Sequence, residues 1–177
     1  MAAYNMLFAG FGGQGILFCG KVAAYAALLD NREVSWLPSY GPEMRGGTAN
    51  CSVCIADSSI GSPLVTAPNV LAVLNAPSFD KFIDTVIPGG QVFIDSTLVD
   101  RPFCRKDITC YHLPASQLSI DEDLSGIANM IILGKILQET GFSTLATVEK
   151  ALEKCIPKSK THLLVHNIRA IKLGMTQ

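Results

Sequence analysis

The sequence lacks the features of several classes of protein. It has no run of basic residues and a formal net charge of only -1, so the positive surface that nucleic-acid binding needs is missing. The first residues, MAAYNMLFAGFGG, contain no positively charged segment and reach glycine too early for a signal-peptide core. No other apolar run has the length of a membrane span. We therefore expect a cytoplasmic protein that binds neither nucleic acid nor membrane.

Cysteine and histidine are too scattered for a metal centre. Of the six cysteines, only Cys51 and Cys54 form a CxxC pair, and the surrounding TANCSVCIA is typical of a strand. Residues three apart in a strand point to opposite faces, so the pair predicts two structural cysteines rather than a metal or disulfide site. No nucleophile motif accompanies His112, His162 or His166, and we interpret these histidines as structural or surface residues.

The pattern of apolar residues predicts one α/β domain. Charged residues make up only 16% of the 177 residues and hydrophobic residues 49%, which leaves apolar surface for a partner. We predict strands at YNMLFAG, EVSWLP, TANCSVCIA, VLAVLN, QVFIDST and DITCYHLP. We predict helices at ILFCGKVAAYAALLDN, SFDKFIDTV, SGIANMIILGKILQETG, Leu145 to Cys155 and THLLVHNIRAIKLG. This alternation predicts a three-layer, Rossmann-like fold over residues 1–177, with an open sheet, mostly parallel or mixed, and helices on both faces.

The stretch LFAGFGGQGI contains the first candidate site. Gly10, Gly12 and Gly15 satisfy GxGxxG between a predicted strand and a predicted helix, where backbone amides can bind a phosphate. We expect Gly12 to need a conformation that only glycine adopts easily. A nicotinamide site also needs an acidic residue at the end of the second strand, but that strand ends WLPS, with Glu33 at its start and Asp30 before it. This absence argues against a nicotinamide dehydrogenase, while a tight turn without a ligand remains an alternative.

The loop PSYGPEMRGGTAN contains the second candidate site. Loops at the carboxyl ends of neighbouring strands meet over one crevice in a doubly wound sheet, so we expect this loop to face the glycine loop. Arg45 can bind a phosphate or carboxylate through two hydrogen bonds. The alternative is a solvated loop in which Glu43 pairs with Arg45. Asp95, at the end of VFIDST, is either a functional carboxylate or a cap on the following turn.

Five segments together carry a family resemblance. In their order and spacing, GFGGQGI, SYGPEMRGGTANCSV, IGSPLV, PNVLAVLNAPSFDKF and IANMIILGKI resemble the gamma subunit of 2-oxoacid:ferredoxin (acceptor) oxidoreductases over nearly the whole chain. YGPEMRGG and NAPSFDKF make the resemblance specific, because no general structural rule requires them to occur together. SYGPEMRGGTANC is most similar to the 2-oxoglutarate type, and pyruvate and branched-chain 2-oxoacid enzymes remain alternatives.

The resemblance implies an oxidoreductase subunit that is not active alone. Complexes of the 2-oxoglutarate type oxidatively decarboxylate 2-oxoglutarate to succinyl-CoA and pass electrons to ferredoxin. The resemblance implies alpha and beta partner subunits that bind thiamine, and a ferredoxin-like delta subunit. Thiamine diphosphate, magnesium and iron-sulfur clusters are then held by partner subunits, and this chain alone binds no cofactor tightly and contributes no catalytic residue and no metal ligand. We expect the isolated chain to self-associate.

For this chain the resemblance implies contact with coenzyme A. The candidate residues are Gly10, Phe11, Gly12, Gly13, Gln14 and Gly15 in the first loop, and Tyr40, Gly41, Pro42, Glu43, Met44, Arg45, Gly46 and Gly47 in the second. Some relatives have basic residues in the second loop, where this chain has Glu43 and Met44, so Arg45 is its only cation there. The alternative is a purely structural interaction subunit whose glycine loop only packs.

Overall fold

One mixed sheet of six strands forms the centre of the computed structural model, which describes residues 3–39, 48–102 and 105–177. The strands are β1 (Tyr4–Phe11), β2 (Glu33–Ser39), β3 (Thr48–Ala56), β4 (Val70–Val73), β5 (Gln91–Asp95) and β6 (Thr109–Leu113). Their order in the sheet is β2-β3-β1-β4-β5-β6. All six correspond to strands predicted from the sequence.

Six helices are formed by the described residues. They are α1 (Ile16–Leu29), α2 (Ala76–Phe82), α3 (Ala115–Asp121), α4 (Ala128–Thr140), α5 (Leu145–Cys155) and α6 (Leu163–Met175). Five of them correspond to helices predicted from the sequence, and α3, a seven-residue helix that directly follows β6 and Pro114, does not. No helix among the described residues is both long and apolar enough to cross a membrane.

The strand directions bring the candidate loops to one end of the sheet. β1 runs parallel to β4, β5 and β6 and antiparallel to β3, while β2 and β3 form an antiparallel pair. Phe11 pairs with Thr48, and Ser39 pairs with Asn50. The connection between β2 and β3 therefore leaves and re-enters the sheet beside the carboxyl end of β1.

Strand alternation divides the core into two parts. Met6 and Phe8 of β1 pack on the face covered by α1, α4, α5 and α6, whereas Leu7 and Ala9 point to the other face. That second face is covered by α2 through Phe79, together with loop residues. Cys51 and Cys54 lie in opposite parts of the core, so the structure confirms that the two side chains point to opposite faces of the sheet. The three-layer prediction is also confirmed.

Candidate functional site

The glycine loop connects the end of β1 at Phe11 to the start of α1 at Ile16. The amide of Gln14 donates to the carbonyl of Phe11 across a tight turn, with an N–O distance of 3.3 Å. Positive φ values occur at Gly13 (92°) and Gly15 (73°), and Gly12 is not among the residues with positive φ. The expectation for Gly12 was wrong, because a turn of the type II kind requires positive φ at its third residue, here Gly13, rather than its second.

The side chain of Gln14 holds the loop against the sheet. Its Oε1 accepts a hydrogen bond from the Phe11 amide at 2.6 Å, and its Nε2 donates to the Leu74 carbonyl at 2.8 Å. Leu74 directly follows β4, so Gln14 ties the carboxyl ends of two neighbouring strands together. Its carboxamide is therefore engaged within the fold, so the backbone of the loop and the exposed side chain of Phe11 are the groups available to a ligand.

The glycines leave different amounts of space around the loop. A Cβ on Gly10 would lie 2.6 Å from Gln14 Oε1, and one on Gly15 would lie 2.5 Å from Asn129 Nδ2. A Cβ on Gly13 would meet no atom within 4 Å. Gly10 and Gly15 thus permit close packing, while Gly13 is the point where the backbone of the turn is open to a ligand.

Two helix N-termini meet at this loop. The 14-residue α1 has Gly15 as its N-cap, the 13-residue α4 has Ile127, and neither has an acidic residue in its first turn or a side-chain cap among the described residues. Asn129 joins them, since its Nδ2 donates to the Gly15 carbonyl at 3.0 Å. Uncapped amides and the positive ends of helix dipoles favour an anion. The arrangement therefore suits a phosphate.

Asn129 is a site residue that the sequence reasoning missed. It is 3% exposed, and its Oδ1 has no hydrogen-bond partner among the described residues. IANMIILGKI is typical of a helix and carries part of the family resemblance, but neither pattern singles out Asn129. An asparagine in the first turn of a predicted helix can be recognised from the sequence. Its contact with Gly15 cannot, because the two residues are 114 positions apart.

Two clefts flank the loop, with the segment that begins at Gly126 between them. One, of about 260 Å³, extends from Gly13 and Gln14 towards Ser116 and Ser119. The other, of about 270 Å³, lies between Gly15 and the connection from α5 to α6. The loop thus has room on both sides for a ligand longer than a phosphate.

The second candidate loop, residues 40–47, lies outside the described residues. Its flanking residues Ser39 and Thr48 are at the same end of the sheet as Phe11. The roles predicted for Tyr40 through Gly47, including that of Arg45, therefore stay predictions.

The acidic residues near β2 are remote from the glycine loop. Glu33 pairs with Ala56 at the opposite end of the sheet. Asp30 accepts hydrogen bonds from Ser143 Oγ at 2.6 Å and Thr147 Oγ1 at 2.9 Å, which tie it to the start of α5. Neither carboxylate can reach a ribose bound beside Gly13, as a nicotinamide dinucleotide site requires.

Asp95 has a structural role. It is fully buried, and its Oδ1 accepts from the amides of Thr97 and Ser116, each at 3.2 Å. Its Oδ2 accepts from Ser116 Oγ at 2.5 Å. Of the two interpretations of Asp95, the structure therefore favours the cap, which connects the end of β5 to the start of α3.

The buried cysteines behind the loop are also structural. Cys19 Sγ donates to the Asn129 carbonyl at 3.4 Å and Cys51 Sγ to the Ile16 carbonyl at 3.6 Å. Burial raises the pKa of Cys51 to about 12 and raises the pKa of Cys19 as well. Both side chains are therefore neutral thiols, and they support the loop from the core through these contacts with Asn129 and Ile16.

Sequence comparison identifies relatives along nearly the whole chain. The family model for pyruvate ferredoxin/flavodoxin oxidoreductase matches residues 5–177. Ketoisovalerate oxidoreductase subunit VorA of Methanothermobacter thermautotrophicus is 37% identical over 169 residues, which cover 94% of this chain but 34% of that protein. The chain thus spans about a third of that relative's length. 2-Oxoglutarate synthase subunit KorC of Methanocaldococcus jannaschii is 37% identical over 152 residues, covering 84% of this chain and 81% of that protein.

Solved structures agree with this assignment. The gamma subunit of keto/oxoacid ferredoxin oxidoreductase from Geobacter sulfurreducens PCA matches with a TM-score of 0.83 and 27% identity, over 98% of this chain and 96% of that one. The 2-oxoglutarate:ferredoxin oxidoreductase from Magnetococcus marinus, solved with 2-oxoglutarate, coenzyme A and succinyl-CoA, shares the fold, with a TM-score of 0.87 and 23% identity over 99% of this chain and 31% of that one. The VorA, KorC and Geobacter sulfurreducens relatives are subunits of oxidoreductases, which are enzymes. The chain therefore belongs to the pyruvate ferredoxin/flavodoxin oxidoreductase family and is related to the gamma subunits of 2-oxoacid:ferredoxin oxidoreductases.

Proposed function

We propose that this chain is the gamma subunit of a cytoplasmic complex that oxidatively decarboxylates 2-oxoglutarate to succinyl-CoA and passes the electrons to ferredoxin. Alpha, beta and delta partner subunits supply thiamine diphosphate, magnesium and the iron-sulfur clusters. This chain supplies a subunit interface and part of the coenzyme A site. The observation that carries the proposal is the open turn at Gly13, which precedes a long helix without a side-chain cap.

Electrostatics supports a phosphate of coenzyme A at this turn. The pyrophosphate of coenzyme A carries negative charge, and the turn presents backbone amides at the positive end of α1. The first turn of α1 contains no acidic residue that would repel such a group. Gln14 is already bonded to Phe11 and Leu74, so the turn is held in place before a ligand arrives.

A role for Arg45 in binding coenzyme A is also proposed, and it is supported by the sequence. Arg45 is the only cation of the second loop, whose flanking residues Ser39 and Thr48 lie beside the end of β1. One charge-assisted hydrogen bond contributes about 1.5–3 kcal/mol. Arg45→Ala should therefore raise the KM for coenzyme A by roughly tenfold or more, while thiamine-dependent decarboxylation in the partner subunits survives.

A matched pair of substitutions at Gly12 tests the phosphate contact. Gly12 is exposed and its φ is not positive, so a side chain there adds no strain from a left-handed backbone, and thermal unfolding of each variant checks the fold. In the reassembled complex, Gly12→Asp places a carboxylate beside the amides and should raise the KM for coenzyme A at least about tenfold. Gly12→Asn, which has the same size without the charge, is the control.

The same experiment distinguishes the proposal from a scaffolding role. Coenzyme A and the 2-oxoacid are varied separately, and only the KM for coenzyme A should respond to Gly12→Asp. If the two variants kept the wild-type KM for coenzyme A but the complex dissociated, the chain would be an interaction subunit without a coenzyme A site.

The choice of 2-oxoglutarate rests on the motif SYGPEMRGGTANC, since relatives named for ketoisovalerate and for 2-oxoglutarate are both 37% identical. Turnover of the purified complex with 2-oxoglutarate, pyruvate and 2-ketoisovalerate measures this directly. A higher kcat/KM for pyruvate or 2-ketoisovalerate would replace 2-oxoglutarate with that substrate and leave the proposed role of the subunit unchanged.

A further inference from the structure

We infer that a cavity on the second face of the sheet binds an extended, uncharged segment of a partner subunit. This inference rests on the proposed place of the chain in a complex and names one surface for that contact. The cavity lies where β1 begins and β3 ends, because Asn5 and the residue paired with it, Cys54, both line it. It is therefore at the opposite end of the sheet from the glycine loop and separate from the candidate coenzyme A site.

The segment IGSPLV, residues 60–65, forms one wall of this cavity. The residues that line it from this segment are Ile60, Gly61, Ser62, Leu64 and Val65. The segment is part of the family resemblance, yet the proposed coenzyme A contact does not use it. Val65 is buried and anchors the wall to the core, whereas Leu64 is 55% exposed. The cavity therefore opens to solvent beside an apolar side chain that a partner can cover.

The main chain of this wall is open to further hydrogen bonds. Among the described residues, no hydrogen bond joins the main chain of residues 58–67 to another main-chain group. Two serines hold the wall instead. Ser62 Oγ accepts from the Leu64 amide at 3.2 Å, and Ser52 Oγ accepts from the Val65 amide at 3.1 Å. An extended segment of another chain can pair with the remaining amides and carbonyls, as an added strand pairs with a sheet edge.

The lining of the cavity suits an uncharged peptide. The cavity has a volume of about 350 Å³, and none of the described residues that line it is charged. Asn5 is exposed, and its carboxamide has no hydrogen-bond partner in the described part of the chain. A carboxamide offers one donor group and one acceptor, as a peptide group does, so it can pair with the main chain of a bound segment. A charged side chain would lose its hydration here without gaining an ionic partner.

The length of a relative supports a partner subunit as the occupant. This chain corresponds to only 34% of VorA of Methanothermobacter thermautotrophicus, so that protein carries the domain in one chain with a larger remainder. A domain joined to its neighbour in this way has a permanent contact, and permanent interfaces are more apolar than transient ones. We therefore assign the cavity to the subunit that corresponds to this remainder, rather than to a second copy of the chain.

The first test is hydrogen exchange of the wild-type chain, alone and in the reassembled complex. Residues 58–67 should exchange quickly in the isolated chain, because their amides lack main-chain partners. In the complex, the same segment should exchange at least about tenfold more slowly. An unchanged rate in the complex would overturn the inference. Slowing in the isolated chain as its concentration rises would assign the cavity to a second copy and also overturn it.

The second test uses two matched pairs of substitutions. Thr66→Trp fills the cavity, and Ser59→Trp is its control, because both residues are exposed in the same connection and Ser59 does not line the cavity. Asn5→Asp adds a charge to the cavity, and Gln138→Glu adds the same charge at an exposed position of α4. Thr66→Trp and Asn5→Asp should each weaken the Kd for the partner subunit at least about tenfold in calorimetric titration. Equal Kd values within either pair would overturn the inference.

Thermal unfolding checks the fold of each variant, and hydrogen exchange of the wild type decides if a variant does not fold. The KM for coenzyme A, measured with saturating partner subunits, separates this inference from the proposed function. It should keep its wild-type value in the cavity variants. If Gly12→Asp raises this KM while the cavity variants bind the partner normally, the proposed function stands and this inference fails. If only the cavity variants have an effect, the partner contact stands and the coenzyme A contact fails.

Discussion

At the scale of single residues, the glycines of the loop have separate roles that their spacing does not reveal. The motif GxGxxG marks positions 10, 12 and 15, but positive φ occurs at Gly13 and Gly15. The difference arises because the turn from Phe11 to Gln14 takes positive φ at its third residue, and the side chain of Gln14 holds this turn against Phe11 and Leu74. Sequence spacing predicted the turn, whereas the role of each glycine depends on a contact with β4, 60 residues away.

Alanine substitutions should separate these roles. Gly13→Ala is expected to lower the free energy of unfolding by about 1–2 kcal/mol, the cost of a left-handed conformation, since its Cβ meets nothing. Gly15→Ala adds a contact with Asn129 Nδ2 at 2.5 Å and should lose about 2–5 kcal/mol, because overpacking adds roughly 1–3 kcal/mol. Gly61→Ala is the control, with open space and no positive φ. Urea unfolding measures all three, and equal losses at Gly13 and Gly15 would contradict the structure.

Glu139 makes stability depend on pH. Lys135 Nζ donates to Glu139 Oε1 at 2.6 Å, and this hydrogen bond holds the pKa of Glu139 below its ordinary value. Because the folded-state pKa is lowered, the stabilisation is complete above the ordinary glutamate pKa of about 4.3 and is lost as pH falls through the folded value. Glu139→Gln should cost about 0.5–1 kcal/mol at pH 7 and almost nothing near pH 3. Urea unfolding at both pH values, with exposed Glu153→Gln as the control, tests this, and a loss that is independent of pH would refute it.

At the scale of elements, the crossing of α4 and α6 depends on glycine at two reciprocal positions. A Cβ on Gly134 would meet the backbone of Ile171, and a Cβ on Gly174 would meet the backbone of Ile131. The two helices therefore pack with their backbones in close approach, which only glycine permits. This crossing positions Asn129 of α4 and Asn167 of α6, which both line the cleft beside Gly15, so the packing of these helices influences the candidate site.

Gly134→Ala and Gly174→Ala should each destabilise the protein. In a helix without tertiary contacts, alanine would stabilise by about 1 kcal/mol relative to glycine. Here the added methyl group collides with backbone rather than with a side chain that can move, so we expect a loss of about 3 kcal/mol or more. Thermal and urea unfolding give the sign directly. A neutral or stabilising result at either glycine would show that the helices separate without cost.

At the scale of the whole molecule, the sequence predicted the elements better than their arrangement. Apolar periodicity identified all six strands, but it did not show that β2 and β3 form an antiparallel pair. The two candidate loops were expected at one end of the sheet because neighbouring strands would be parallel. The ends of the two loops do lie together, but the reason is different: β3 runs antiparallel to both β1 and β2. The two clefts could not be predicted at all, since each combines residues more than 100 positions apart.

The surface formed by α1 and β2 leads to a last prediction, on self-association. Tyr25, Leu28 and Leu29 lie on one side of α1 and are exposed, and Trp36 is exposed on the neighbouring β2. Exposed apolar side chains on neighbouring elements indicate a protein interface. We expect the isolated chain to self-associate at micromolar concentrations through this surface, and Leu28→Glu to shift it towards monomer. Val165→Glu, at an exposed apolar residue of α6, is the control and should not change the association.

Sedimentation velocity over a range of concentrations measures this association, first with the chain alone and then with the partner subunits. Because the same apolar surface serves both contacts, partner subunits should displace self-association of the wild type, and Leu28→Glu should weaken both. A wild-type chain that stays monomeric at every concentration and does not bind the partner subunits would count against this surface and against the proposed place of the chain in the complex. If Leu28→Glu weakened only self-association, the partner subunits would bind elsewhere, and the second face of the sheet, with its single helix α2, would be the next surface to test.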